Sequence, residues 1–223
     1  FPEPIKVNYH GIDVYEHPPN GQGIAALIAF KFLDKMGAEK LEHNSPEYLH
    51  LLVEAMRLAF ADARYYITDP DFDESVAQPA AASTTDANAQ RTPIEALLSE
   101  EYAEQRRALF DAAKAVADVE KGSPALQSNT VSFQVADGEG NAVSMVNSNY
   151  MGFGTGLTPE GCGFSMQNRG ANFELEDGHP NQLRPGKRPY HTIIPGMALR
   201  GGSDELYATF TVMGGFMQPQ GHV

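Results

Sequence analysis

Residues 121–129 are polar, contain Gly122 and Pro124, and show no regular period; they end at Asn129-Thr130, where alternating apolar residues begin. An exposed stretch of that composition invites cleavage. A threonine hydroxyl is a weak nucleophile at its ordinary pKa. A threonine freed at its N-terminus also carries an α-amino group, whose pKa near ~8 lets it act as the base. Cleavage between Asn129 and Thr130 would therefore let one residue supply both nucleophile and base. On local sequence alone, Thr130 is simply the first β-branched residue of a strand.

Other chemistries find less support. Cys162 is the single cysteine, so no intrachain disulfide forms; it lies between two glycines with no His or basic cluster nearby to activate its thiol. The seven histidines show no i, i+4 pairing and no accompanying Cys cluster, so no metal site is expected. Gly154-Thr155-Gly156 lacks the Lys-Ser/Thr ending and following apolar helix of a phosphate loop and reads as a turn. No cofactor is called for. With 16 Lys+Arg against 29 Asp+Glu, the formal net charge of −13 repels phosphate backbones and anionic membranes, which argues against a nucleic-acid partner. No apolar run approaches the ~20 residues that span a bilayer. A soluble location is expected, the cytoplasm ahead of the periplasm or secretion. Neither a signal peptide nor an initiator Met precedes Phe1, and no closing helix follows the Gly-Gly turn near Val223, so both ends look cut.

The elements that would carry these residues divide at the polar stretch. Before it, residues 6–15 alternate weakly as a strand and stop at Pro18-Pro19-Asn20-Gly21. A helix is predicted from about Gln22, with Ile24, Leu27, Ile28, Leu33 and Met36 on one face and Gly37 just past its end. The next has Ser45 as cap, Pro46 in its first turn, and an apolar face of Leu49, Leu52, Val53, Met56, Phe60 and Ala63. It runs to about Tyr66, and Asp69-Pro70-Asp71 ends it. Residues 78–93 have no apolar period and read as a flexible insertion, after which a third helix opens at Ser99 and carries Tyr102, Ala103, Leu109 and Phe110. From Thr130 onward strands dominate: a hairpin turning at residues 137–141, then strands over 192–199 and 206–213. Helices followed by antiparallel strands make an α+β fold.

The run Asn129-Thr130-Val131-Ser132-Phe133 through Asp137-Gly138-Glu139-Gly140-Asn141-Ala142-Val143-Ser144 resembles the start of the small subunit of the γ-glutamyltranspeptidase family. The likeness extends to Phe153-Gly154-Thr155-Gly156, Pro185-Gly186-Lys187-Arg188-Pro189 and Met213-Gly214-Gly215. Upstream it takes in Pro18-Pro19-Asn20-Gly21-Gln22-Gly23 and the run from Glu54 to Asp62. The resemblance implies an N-terminal-nucleophile hydrolase with an αββα sandwich, present as an internal fragment. Residues 1–129 would be the end of the large-subunit region and 130–223 the start of the small-subunit region, the two pairing after cleavage. It implies Thr130 as nucleophile and Ser148 as the hydroxyl that orients it. Gly214 and Gly215 would be the glycines whose N–H groups form the oxyanion hole. Outside the resemblance, Ser148 reads as a solvated strand serine and Gly214-Gly215 as a plain turn.

Departures from the family pattern bear on the substrate. Where γ-glutamyl-specific members carry Asn-Asn-Gln/Glu-Met-Asp-Asp-Phe, this chain has Gln167-Asn168-Arg169-Gly170-Ala171-Asn172-Phe173. Asn172 replaces the aspartate that binds the substrate α-ammonium, and Arg169 stands where Gln or Glu would be. An amide cannot neutralise an ammonium and a guanidinium repels it, so an anionic group is favoured. The serine pair that holds the α-carboxylate is replaced by His191-Thr192, with His191 either a neutral donor or a cation. These changes resemble the branch with glutathione-hydrolase-like proteins, oxamate amidohydrolases and acylases for dicarboxylic amides. The expected activity is hydrolysis of a small-molecule amide whose acyl part bears a carboxylate. True γ-glutamyl transfer is the alternative. A non-catalytic fragment is a third reading, since the family's substrate-binding Arg lies upstream of this chain. Residues 174–184 are too short for a lid and leave the cleft open.

Overall fold

The computed structural model describes residues 2–72, 93–115 and 128–223, with residues 128 and 129 by their backbone alone. The insertion expected at 78–93, apart from Pro93, and residues 121–127 of the polar stretch lie outside the described residues.

Residues 6–15 are not one strand. They form a hairpin of β1 (Ile5–Tyr9) and β2 (Ile12–Glu16), reversing at His10 and Gly11, both at positive φ (49° and 84°). Only the glycine adopts that conformation without strain. β2 pairs antiparallel with β5 (Gly196–Arg200), and β5 with β6 (Leu206–Phe210), so the sheet order is β1-β2-β5-β6. β5 and β6 are shorter than their sequence patterns predict.

Helix α1 (Gly23–Leu33) is buried on every side, not on one face. Ala26, Leu27 and Phe30 meet Val7 and Val14 of the sheet, while Ile24, Ala25, Ile28 and Ala29 meet α2 (Pro46–Tyr66). Helix α1 ends at Leu33 with Asp34 as its C-cap, short of Met36, and Gly37, expected as its C′ residue, instead opens the 3₁₀ turn Ala38–Lys40 at φ 72°. Ser45 caps α2 by accepting from the Tyr48 N–H at 3.2 Å. The inward face of α2 keeps Leu52, Met56, Phe60 and Ala63 of the expected one but not Leu49 and Val53. Leu51, Ala55, Met56, Leu58, Ala59 and Ala63 are buried, while Leu49 and Val53 are exposed. Alanines on both helices permit close approach, and that contact, rather than the bulkiest residues, sets the face. A short helix absent from the sequence reading, α3 (Ile94–Leu97), precedes α4 (Glu100–Arg107). Ser99 caps α4 as expected, but the helix stops short of Leu109 and Phe110.

β3 (Ser128–Ala136) and β4 (Ala142–Met151) form a separate antiparallel hairpin. Asp137 closes its turn by accepting from the Glu139 and Asn141 N–H groups. One face turns Thr130, Ser132, Ser144 and Ser148 toward the body, where Ser144 Oγ donates to the Phe210 carbonyl at 3.0 Å. The other face exposes Val131, Phe133, Val135, Val143 and Met145. After β6, residues 215–217 make a 3₁₀ turn and α5 (Gln218–His222) follows, contrary to the expectation of no closing helix. His222 Nδ1 meets Glu16 Oε1 at 2.5 Å; burial pushes the carboxyl up and the imidazole down to about 4. The mixture is α+β. No helix among the described residues is long and apolar enough to cross a membrane.

Candidate active site

Thr130 lies near the start of β3, where a register shift between Ser128 and Thr130 bends the strand. Its side chain is buried, and Oγ1 donates to Ser148 Oγ at 3.0 Å. The two residues are register partners, and the Tyr150 N–H donates to the same Ser148 oxygen at 2.9 Å. That bond is local: Tyr150 at φ 75° turns the end of β4 back on Ser148.

The end of β4 is tied to residues 168 and 169. Asn168 accepts from the Met151 N–H through Oδ1 (3.1 Å), and its own N–H donates to the Asn149 carbonyl (3.2 Å). The next residue, Arg169, is 1% exposed; its guanidinium lies 5.0 Å from the Tyr150 ring centroid and donates through Nη1 to Thr192 Oγ1. Among the described residues no carboxylate forms an ion pair with it, and burial lowers its pKa to about 10. A buried, stacked cation without an anion is costly, and an anionic ligand offsets that cost.

His191 is neutral. Burial, then the charges of Arg169 and His17, push its pKa down to about 3. Its Nδ1 accepts from the Ile193 N–H at 3.1 Å, so the ring proton sits on Nε2 as a donor. Of the two readings for this residue, the bond from Ile193 and the lowered pKa favour the neutral donor. Asn172 is held by two bonds: Nδ2 donates to the Tyr190 carbonyl at 3.0 Å, and its own backbone carbonyl accepts from Asn181 at 2.6 Å.

Gly214 (φ 141°) and Gly215 (φ 58°) hold conformations that side chains rarely adopt. Gly215 is tied to Thr192 through Gln22, which the sequence marks as a helix start and as part of the family-like run Pro18–Gly23, with no role attached. Gln22, fully buried, donates to the carbonyls of Thr192 (3.1 Å) and Gly215 (2.8 Å) and accepts from the Tyr190 hydroxyl (3.0 Å). The available signal was a polar residue opening an all-apolar helix. Gly154 also proves structural, since a Cβ there would lie 2.2 Å from the Met166 carbonyl oxygen.

The contacts run from Thr130 to Ser148, from Arg169 to Thr192, and from Thr192 to Gly215 by way of Gln22. Residues 1–223 match the Gamma-glutamyltranspeptidase family profile, and the chain belongs to that family. It is 36% identical over 218 residues to a glutathione hydrolase-like proenzyme (YwrD) of Bacillus subtilis, covering 97% of this chain and 37% of that protein. An oxamate amidohydrolase proenzyme of Klebsiella pneumoniae is 30% identical, covering 98% of this chain and 37% of that one. Among solved structures, a cephalosporin acylase from Bacillus halodurans superposes with a TM-score of 0.76 at 42% identity, over 99% of this chain and 36% of that chain. The chain thus spans little more than a third of the length of these relatives.

Proposed function

We propose that this chain is the central part of a self-processing amidohydrolase that cleaves an amide whose acyl portion carries a carboxylate. Its relatives are glutathione hydrolases, amidohydrolases and acylases named as proenzymes, which supports a precursor cut between Asn129 and Thr130. Residues 1–129 and 130–223 would then belong to paired large and small subunits. The exposed apolar face of the β3–β4 hairpin supports an αββα sandwich completed by further parts of the protein. In this reading the free α-amine of Thr130 takes the proton from Oγ1, which attacks the amide carbonyl while Ser148 orients it. The N–H groups of Gly214 and Gly215 receive the oxyanion, the amine departs with the proton, and water releases the acid.

The observation that carries the substrate class is Arg169, a buried cation bonded to Thr192 with no ion-pair partner among the described residues. Cleavage would remove the chain ahead of Thr130 and admit the acyl group. The test compares glutaryl and γ-glutamyl anilides on the processed full-length protein. The glutaryl substrate, lacking the α-ammonium that Arg169 repels, is the better one. Asn172→Asp with Arg169→Gln shifts the ratio toward γ-glutamyl. An unchanged or opposite ratio refutes the substrate class.

A further inference from the structure

We infer that Gln22 is a positioning residue that locks the oxyanion turn at Gly214–Gly215 to the acyl-binding segment at Thr192. The inference rests on the proposed roles of those residues. The amide of Gln22 has one chemically consistent orientation. Thr192 and Gly215 present carbonyl oxygens, so both must face the Nε2 hydrogens, and the Tyr190 hydroxyl donates to Oε1. Both amide hydrogens and one acceptor direction are used, and the side chain is 0% exposed, so it has no competing water bond. Residue 22 also precedes the most deeply buried helix of the fold, whose first residue is Gly23. The glutamine therefore refers both segments, near residues 192 and 215, to one rigid body; apart from it they meet through the Ile194 N–H bond to Gln218 Oε1 at 3.3 Å and the Tyr190–Phe216 ring contact at 5.3 Å, neither of which reaches the Gly215 carbonyl.

The two segments do not depend on it equally. The stretch around Thr192 keeps backbone anchors without the side chain: the Gln22 N–H donates to the His191 carbonyl at 2.9 Å, and the His191 N–H to the Asn20 carbonyl at 2.8 Å. Gly215 is different. The other bond to its carbonyl comes from Gln218, within the same turn, and does not fix that turn against α1. Loss of the Gln22 amide therefore loosens the oxyanion donors more than the acyl pocket. An oxyanion hole acts only if its donors are fixed where charge develops, so the loss falls on the transition state.

The test uses the processed full-length protein and whichever amide the wild type turns over fastest. Gln22→Met fills the space without donors, and Tyr190→Phe removes only the bond that touches neither carbonyl. Gln22→Met lowers kcat roughly ten- to a hundredfold with KM within about twofold, the size expected for a weakened oxyanion hole. A boronic acid that mimics the tetrahedral adduct loses affinity in proportion, glutarate affinity is kept, and Tyr190→Phe stays near wild type. Should Gln22→Met fail to fold, Gln22→Glu, which keeps size and the acceptor for Tyr190, is read the same way. A folded variant with kcat within twofold of wild type overturns the inference. So does an equal loss of boronate and glutarate affinity with a lowered melting temperature, which marks a merely structural residue. If wild type fails to bind glutarate while kcat and boronate affinity fall as stated, the substrate class is wrong and the role of Gln22 stands.

Discussion

Thr130 and Ser148 face each other across the β3–β4 hairpin, with Thr130 Oγ1 donating to Ser148 Oγ at 3.0 Å. Because the Tyr150 N–H also donates to that oxygen, Ser148 is fixed from a second side and in turn fixes the threonine rotamer. Thr130→Ala is expected to remain one uncut chain and to be inactive, as seen by mass spectrometry and amide turnover. Ser148→Ala keeps the nucleophile and loses its orientation, which slows self-cleavage and turnover together by up to roughly a hundredfold. Cleavage and turnover at the wild-type rate in Ser148→Ala would remove the serine from the mechanism.

Arg169 separates stability from binding. A buried guanidinium without a carboxylate costs several kcal/mol, of order, and replacing such a charge by an apolar side chain is commonly neutral or stabilising. Arg169→Met is expected to hold or raise the melting temperature while weakening glutarate or glutaryl-anilide binding by about tenfold or more, the loss of roughly one charge-assisted contact. Calorimetry and KM measure the two. A large fall in melting temperature with unchanged KM would make Arg169 a structural residue.

Acid stability follows from two histidines. His191 is pushed down to about 3, by burial first and then by Arg169 and His17, and His222 to about 4 by burial. Unfolded, both titrate near ~6.5, so the unfolded chain binds protons that the folded one refuses. Their contribution is complete above that value and is lost as pH falls through the window down to the folded values. Glu16, whose carboxyl burial raises, opposes the His222 contribution, so the drop in denaturant midpoints from about pH 6.5 to pH 4 is expected to come from His191, and His191→Asn should flatten it. The acid limb of kcat/KM belongs instead to the Thr130 amine near ~8. A limb near 6.5 that vanishes in His191→Asn would contradict this assignment.

What could be read from the sequence was local. Ser45 and Ser99 cap the helices they precede and Asp137 closes the hairpin, because each effect acts within a few residues. Of the face expected for α2, Leu52, Met56, Phe60 and Ala63 meet the core, but Leu49 and Val53 do not, because docking also follows the small residues Ala55 and Ala59, whereas hydropathy weights the large ones. Thr130, Ser148, Arg169 and Thr192 could be named because the family pattern marks their positions. Gln22 lies in the family-like run Pro18–Gly23, but its role could not be read: its partners are 168 to 193 residues away, and no period in sequence encodes a contact of that kind.

Arg188 couples the two sides of the proposed cleavage point. Its backbone N–H and guanidinium both donate to Asp69, and Nη2 also reaches Asp71 at 2.6 Å. Burial raises the Asp69 carboxyl, but the bonds from Arg188 and Asp71 outweigh it and leave the group below its usual range. The arginine side chain is half exposed, so the pair contributes modestly, ~1 kcal/mol, with the backbone bond adding a similar amount. Asp69→Asn is expected to lower the melting temperature of the processed protein by a few degrees. Since Asp69 is depressed, its contribution is present above the unfolded carboxylate value near ~3.9 and is lost as pH falls through the folded one. Equal melting of mutant and wild type at pH 7 would show that the clamp adds nothing.

The balance of hydrolysis and transfer turns on residues 174–184. That segment folds on itself: Glu174 bridges Gln182, and Gln182 Nε2 donates to Asp177 at 2.8 Å. It is then pinned to the body. Thr68 Oγ1 donates to the Pro180 carbonyl at 2.7 Å, Lys187 donates to the same oxygen, and Asn181 Nδ2 donates to the Asn172 carbonyl at 2.6 Å. A loop so tied has no length left to swing across a pocket and exclude water. Once cleavage frees Thr130, water should reach the acyl-enzyme as readily as an amine does, and large leaving groups should be accommodated. Product analysis with a dipeptide acceptor is expected to show mainly free acid, and rates across amides of growing leaving-group size should vary by less than about tenfold. Predominant transfer at modest acceptor concentration, or a steep fall with leaving-group size, would mean that another part of the protein closes the site.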